Sequence, residues 1–251
     1  MSQAEKATHL AALHRKGDPL VLYNIWDAGG AKALVEAGAR AVATGSWSVA
    51  AAHGFDDGEA IPLDFALTLY TRLCASVAVP VTVDFEGGYA TEPGAVAKNV
   101  RRVIQAGAVG INFEDRIVRG EGLYPVGDQV SRIAAIRTMA SEVRVPLVIN
   151  ARTDLFLGSD PKTHADLVSE AKARAAAYAE AGADCFFIPG LTDAALITDI
   201  VESIPLPVNV MMMGPLATVS EVSAMGVSRI SYGPSPFVTA IAGLKQSYEN
   251  L

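Results

Sequence analysis

Two kinds of strand start alternate along this chain, and the alternation restricts the fold more than composition does. The first kind has proline leading an apolar run: Pro19-Leu-Val-Leu-Tyr, Pro80-Val-Thr-Val-Asp, Pro146-Leu-Val-Ile-Asn and Pro207-Val-Asn-Val-Met. The second has a small residue or methionine, then glycine, then a short apolar run, beginning at Ala37-Gly, Ala106-Gly, Ala181-Gly and Met225-Gly. Proline stands only at a strand's start or edge. Glycine just past a helix supplies the left-handed cap, so each glycine marks a helix end and a strand start. The two kinds strictly alternate and predict eight strands. Helical spacing is clear over Val96 to Ala106, Val130 to Ser141 and Ala165 to Ala181. Eight βα units with continuous apolar strands predict a closed parallel (β/α)8 barrel of the TIM type. A doubly wound open sheet has no reason to repeat so evenly.

The 251 residues show no linker, low-complexity tract or composition shift, so residues 1–251 are expected to form one barrel domain. A short N-terminal helix over Lys6 to Lys16 is expected to lie across the barrel bottom, the alternative being a frayed surface helix. Apolar residues make up 51% and charged residues 19%, which suits a well-buried core. A net charge of -7 argues against nucleic-acid binding, because nothing neutralises phosphates broadly. No signal-peptide region and no apolar run long enough for a bilayer are present, so the expectation is a soluble, cytoplasmic protein without a membrane partner. Cys74 and Cys185 are far apart and read as small core residues, not catalytic ones. The four histidines form no metal-ligand grouping, so zinc is not expected.

The chemistry gathers after the strands. The stretch Val81-Thr-Val-Asp84-Phe-Glu86-Gly-Gly-Tyr89 begins as a buried strand and ends in two acids one residue apart. Alternate side chains of an extended chain share a direction, so Asp84 and Glu86 can present two carboxylates to one point. Burial and mutual repulsion penalise both, and a hard divalent cation would offset the penalty. The alternative is a solvated strand end. Strand four supplies Glu114 and Asp115, and strand five supplies Arg152 and Asp154. In such barrels catalytic groups stand at the C-terminal ends of the strands, so three acids and one arginine are expected on a single face. Each alone has a plainer reading: Asp27 can cap the next helix, Asp115 can pair with Arg116, and Arg152 can pair with Glu114 or Asp154 and hold the rim.

Together these residues resemble the isocitrate lyase/phosphoenolpyruvate mutase superfamily over nearly the whole chain. The marks are Asn24-Ile-Trp26-Asp27-Ala, Gly45-Ser46-Trp47-Ser, His53-Gly-Phe-Asp-Asp57, Asp84-Phe-Glu86-Gly-Gly-Tyr89, Phe113-Glu114-Asp115 and Asn150-Ala-Arg152. The strand-three motif departs mildly, with glutamate for the second acid and Ala90 for the last glycine. The resemblance implies a magnesium site (manganese is possible), with Asp84 as the direct ligand and Glu86 and Glu114 helping through waters. It implies a closing acid at Asp57, an anion-holding arginine at Arg152 and a backbone cradle at Gly45, Ser46 and Trp47. Trp26 and Asn209 are further substrate-binding candidates, and Glu114 joins Asp57 and Arg152 as a catalytic one.

The larger departure follows strand four. Lyases of this family carry a Lys-Lys/Arg-Cys-Gly-His loop there, and this chain reads Asp115-Arg-Ile-Val-Arg-Gly-Glu-Gly-Leu-Tyr-Pro125. Arg116, Arg119, Glu121 and Tyr124 are its candidates to substitute, or the loop only shields and packs. The expected function is a magnesium-dependent enzyme acting on a small 2-oxo or 2-hydroxy carboxylic acid through an enolate-like intermediate. C–C cleavage, as a lyase or decarboxylase, comes first. A P–C bond mutase or hydrolase is the alternative, and a 2-oxo acid-binding barrel with little activity is a third. The resemblance also implies a homo-oligomer, a tetramer or dimer, with the helix around Val238 to Tyr248 at a subunit contact.

Overall fold

The computed structural model describes all 251 residues. Eight parallel strands run in the order β1-β8-β7-β6-β5-β4-β3-β2. They are β1 (Leu20–Leu22), β2 (Val42–Ala43), β3 (Val81–Asp84), β4 (Gly110–Glu114), β5 (Val148–Arg152), β6 (Cys185–Phe187), β7 (Val208–Met211) and β8 (Arg229–Ser231). An isolated parallel bridge between Ile25 and Thr44 joins the first strand to the second and closes the ring. The protein is therefore a (β/α)8 barrel, and every expected strand is present.

The first helices are α1 (Gln3–Ala12), α2 (Ala28–Glu36), α3 (Ser46–Ala52), α4 (Leu63–Ser76) and α5 (Pro93–Gln105). They are followed by α6 (Val126–Glu142), α7 (His164–Glu180), α8 (Ala194–Ser203), α9 (Val219–Ala224) and α10 (Ser235–Glu249). The expected helix after strand four starts earlier than its apolar spacing suggests, because Pro125 at its N-cap is already compatible with helix entry. One continuous apolar cluster joins the barrel interior to the helix layer.

The N-terminal helix closes the bottom of the barrel, but it covers residues 3–12, not 6–16. A capping box between Ser2 and Glu5 starts it early. Leu10 is fully buried beneath Gly110, where a Cβ would come within 2.8 Å of the leucine. The Gln3 side-chain amide donates to the carbonyls of Ile104 and Ala108, just ahead of β4. These contacts exclude the surface-helix alternative. No helix is long and apolar enough to cross a membrane.

Candidate active site

Register brings the polar side chains together. Across β3, β4 and β5, Asp84 stands opposite Asn112, which stands opposite Asn150. Two residues further up, Glu114 stands opposite Arg152, which stands opposite Phe187 on β6. In a parallel sheet such rows point the same way. They form a polar floor and rim at the C-terminal mouth.

Asp84 is the centre of the site. Its backbone N–H donates to Thr44 Oγ1 at 2.9 Å. Its Oδ2 accepts from the Ser46 N–H at 3.1 Å and the Ser46 hydroxyl at 2.9 Å, and Asn112 approaches Oδ1 at 3.4 Å. Asn24 supports the facing wall: its amide donates to the Thr44 carbonyl, and its oxygen accepts from the N–H groups of Tyr232 and Gly233. A cavity of about 190 Å³ opens here, lined by Gly45, Ser46, Trp47, Asp57, Asp84, Asn112 and Arg152 among others.

Arg152 adopts both of the ion pairs that its neighbours offer and still lines the cavity. Its Nη1 meets Glu114 Oε2 at 3.0 Å, while Nε and Nη2 hold both oxygens of Asp154. Burial works against its charge, but Glu114, Asp154 and Asp84 outweigh that and raise its pKa. Arg116 and Arg229 add positive charge from outside the cavity, and the acids remain in excess. Burial and then the charge of Asp84 raise the Asp57 carboxyl. Burial, Asp84 and Asp57 push Glu86 up to about 8. Burial raises Glu114 well above the usual carboxylate range, with Arg152 only partly opposing it.

The strand-three turn puts Glu86 in a different place from the expected one. Glu86 has φ 49°, and its carboxylate accepts the Glu59 N–H at 2.8 Å. Glu59, itself buried at φ 58°, accepts the Tyr89 N–H at 2.7 Å. This reciprocal clasp fixes the loop that carries Asp57 against the turn after β3. Neither Glu86 nor Glu114 lines the cavity, and no three carboxylate, imidazole or thiol groups converge as a closed metal cage. The donor set nevertheless fits a hard cation: Asp84 offers oxygens at the cavity, backed by Glu86 and Glu114, which burial and neighbouring carboxylates make costly to ionise without added positive charge. Magnesium binds through few carboxylates and keeps several waters.

Two expected substrate contacts lie elsewhere. Trp26 packs edge-on against Phe237 of α10 at 5.0 Å and does not line the cavity. Asn209 is fully buried in the floor, bonded to the Ser231 hydroxyl. Asp27 caps α2 through the Gly30 N–H. Asp115 pairs with Arg174 and Tyr178, not with Arg116.

The loop after β4 folds as a small hairpin with Arg116 opposite Leu123. Val118 packs where a Cβ on Gly87 would come within 2.8 Å, and Arg119 donates to the Glu59 carbonyl. Arg116, Arg119 and Tyr124 line a separate cavity of about 310 Å³ beside the strand-three turn, and the charge of Arg116 still reaches Asp57. None of the loop's candidate substitutes, Glu121 included, borders the Asp84 cavity; the loop packs against the strand-three turn and Glu59.

A residue missed from the sequence, Arg132, holds this assembly from below. It is fully buried, donates to the carbonyls of Gly87 and Ala90, and lies over the rings of Phe113 and Tyr124 at 4.7 and 4.1 Å. Its signal was present: Gln129 and Arg132 occupy the stripe that Ile133, Ile136 and Ala140 continue along α6. Burial pushes both cysteine thiols up to about 12, and neither lines the cavity.

A (β/α)8 barrel with this mouth agrees with the comparisons to known proteins. The family described as phosphoenolpyruvate phosphomutase matches residues 10–251. An uncharacterized Mycobacterium tuberculosis H37Rv protein, Rv1998c, is 34% identical over 225 residues, 90% of this chain and 81% of its own. The 2-methylisocitrate lyase of Escherichia coli K12 is 29% identical over 231 residues, 88% of this chain and 76% of its own. A Burkholderia cenocepacia J2315 protein whose crystal structure carries the provisional name phosphonomutase superposes with a TM-score of 0.96 at 43% identity, covering 99% of each chain. A phosphonopyruvate hydrolase crystallised with oxalate and Mg++ shares the fold at 22% identity, with a TM-score of 0.86 over 98% of this chain and 86% of its own. The chain belongs to the phosphoenolpyruvate mutase/isocitrate lyase superfamily. It is an enzyme of that superfamily, which includes lyases, mutases, hydrolases and decarboxylases.

Proposed function

We propose that the protein is a magnesium-dependent enzyme that cleaves a C–C bond in a small 2-oxo or 2-hydroxy carboxylic acid. The observation that carries this reading is the small cavity in which Asp84, Asp57 and Arg152 meet, backed by Glu86 and Glu114 with too little positive charge to balance them. Asp84 would hold the ion directly, with Glu86 and Glu114 supporting it through water. When bound, the ion supplies positive charge to the substrate's carboxylate and adjacent oxygen, where enolate-like charge develops.

The chain's own groups do the rest. Ser46 orients Asp84 through two hydrogen bonds. The N–H groups that follow in the first turn of α3 lack a carbonyl partner within that helix and point a small donor set at an anion. Arg152 spends two of its five N–H groups on Asp154 and pairs Nη1 with Glu114, and its remaining N–H groups can serve a substrate carboxylate. Asp57, its carboxyl raised by burial and by Asp84, stands where it can hold a proton beside the substrate.

Phosphonate chemistry at a P–C bond is the second reading, favoured by the provisional name of the relative at 43% identity. A barrel that binds 2-oxo acids without turnover differs from both in producing nothing when metal is supplied. The test is calorimetric titration of magnesium, with and without oxalate, into the protein and Asp84→Asn. Asp84→Asn removes a ligand charge with little change in volume, so it should abolish magnesium-dependent oxalate binding and preserve the fold. Unchanged metal binding in that variant would overturn the proposal.

A further inference from the structure

Arg229 is a fully buried cation without an ion pair. Its strand, β8, stands across the ring from β4, four strands away in either direction. The side chain nevertheless crosses the barrel interior, and its Nη2 donates to Asn112 Oδ1 at 3.0 Å. Its Nε and Nη1 meet no hydrogen-bond partner. Burial pushes its pKa down to about 10, so it keeps its proton at neutral pH. Packing does not call for such a group, because apolar side chains of similar volume often replace buried charges with no loss of stability.

We infer that Arg229 is a positioning residue: it locks the Asn112 amide with Nδ2 toward Asp84 and the cavity. Asn112 thereby becomes a hydrogen-bond donor to the bound acid, and its oxygen is barred from the cation. This inference rests on the function proposed above and deepens it. Asn112 lines the cavity, and its Nδ2 lies 3.4 Å from Asp84 Oδ1, too long for a good N–H···O bond, so the group is free to serve another oxygen. Its Oδ1 takes two donors, Arg229 Nη2 and, at 2.8 Å, Asn150 Nδ2. Asn150 alone does not fix this arrangement. Its own Oδ1 is buried without a partner, and a side-chain amide offers a donor on one side and an acceptor on the other. The two amides could therefore reverse together, with Asn150 Oδ1 accepting from Asn112 Nδ2 and Asn112 Oδ1 turned to the cavity. A guanidinium carries donors and no acceptor. Arg229 thus separates the two states and permits only one.

The two states do opposite chemistry beside Asp84. An amide oxygen turned to the cavity would add a neutral ligand to a hard cation, as carbonyl oxygens do. An N–H there offers the cation nothing and favours the anion that chelates it, including the oxygen on which enolate-like charge develops. Arg152 does not duplicate this donor: it stands two residues higher on the β4–β5 ladder, opposite Glu114, whereas Asn112 is in the row of Asp84. Arg229 therefore leaves the cation to carboxylates and water and gives the acid a donor from the floor.

The experiment is titration calorimetry of magnesium alone, and of oxalate in saturating magnesium, with folding checked by urea unfolding. The proteins are the native chain, Arg229→Met, Arg229→Lys, Asn112→Ala and the double variant Arg229→Met/Asn112→Ala. Arg229→Met should weaken oxalate about tenfold and leave magnesium affinity unchanged or tighter. Arg229→Lys, whose ammonium donates and cannot accept, should keep oxalate affinity within about threefold of native. Asn112→Ala should lose at least as much as Arg229→Met, and adding Arg229→Met to it should cost nothing further. If Arg229→Met does not fold, Arg229→Gln takes its place with the same expected loss, because glutamine accepts as well as donates. Oxalate affinity kept without the arginine, a lysine variant no better than methionine, additive losses in the double variant, or magnesium affinity falling in step with oxalate would each make Arg229 a structural residue and end the inference, with the proposed function still standing. If the native protein does not bind oxalate in magnesium, the proposed function fails and takes the inference with it.

Discussion

At the residue scale, two arginines divide the work, and different substitutions separate them. Arg152 stands at the mouth and offers a planar fork. An ammonium cannot reproduce two parallel N–H bonds to one carboxylate, so Arg152→Lys should weaken oxalate binding by roughly 1–3 kcal/mol, the range for charged hydrogen bonds. Calorimetry with magnesium present reads this, and an unchanged affinity would confine Arg152 to its pairs with Glu114 and Asp154. Arg132 never meets the cavity. Its guanidinium ties the carbonyls of Gly87 and Ala90 to α6, beneath the turn that Glu86, Gly88 and Tyr89 make with positive φ. Arg132→Leu should therefore lower unfolding stability by about 2–4 kcal/mol, because buried carbonyls and Gln129 lose their donor. Urea unfolding measures it, and a loss near zero would show the turn holds itself. The arginine at the strand end was legible in the sequence because barrel strands aim their last residues at the mouth. Arg132 was not, because its partners are backbone atoms some forty residues away.

At the scale of elements, the strands were legible because proline and glycine punctuate them chemically, and helix boundaries were less so because caps decide them. The acids of strands three and four were found from their strand ends, but the direction of Glu86 was not. Its positive φ turns the side chain from Asp84 toward the Glu59 N–H, and only the assembled loop supplies that donor. Trp26 was misplaced for a like reason: its partner Phe237 lies on the last helix. The bottom helix makes a pH prediction. His14 follows α1, with Nδ1 at 2.8 Å from the Leu10 carbonyl and Nε2 buried without a partner. Burial, then the charge of Arg229, push its pKa down from 6.5 to about 4. The folded state thus binds fewer protons than the unfolded state between those values. The stability of the neutral ring is complete above roughly pH 6.5 and is lost as pH falls toward about 4. Up to roughly 3 kcal/mol should go over that window. His14→Gln, compared by urea unfolding at pH 7 and pH 4.5, should flatten that part of the decline; an equally steep decline would remove His14 as its source.

At the scale of the whole molecule, α10 is the element the barrel leaves uncovered. The sequence placed Ile241 and Leu244 at helical spacing, which suited either the helix's own barrel or a neighbouring subunit. The barrel takes them only in part: of α10 only Pro236 is fully buried and Ile241 is half-buried, while Val238, Leu244 and Tyr248 are 52%, 66% and 77% exposed. The helix is anchored at its start, where Phe237 packs edge-on against Trp26 and Trp47 at 5.0 and 5.9 Å, and the following turns leave that anchor. Large apolar side chains gathered on one exposed helix mark an interaction surface, and a closed symmetric assembly of identical chains is the commonest way to cover one. The expected state in solution is therefore a homo-oligomer, dimer or tetramer, with α10 at the contact. Sedimentation at micromolar concentration should show it, and Leu244→Glu with Tyr248→Glu should shift it toward monomer by burying two charges at the contact. Because Phe237 shares its packing with Trp47 at the cavity edge, dissociation should also weaken oxalate binding in magnesium, in parallel with the loss of oligomer across a dilution series. A protein that sediments as a monomer before any substitution would leave α10 without the partner argued for it.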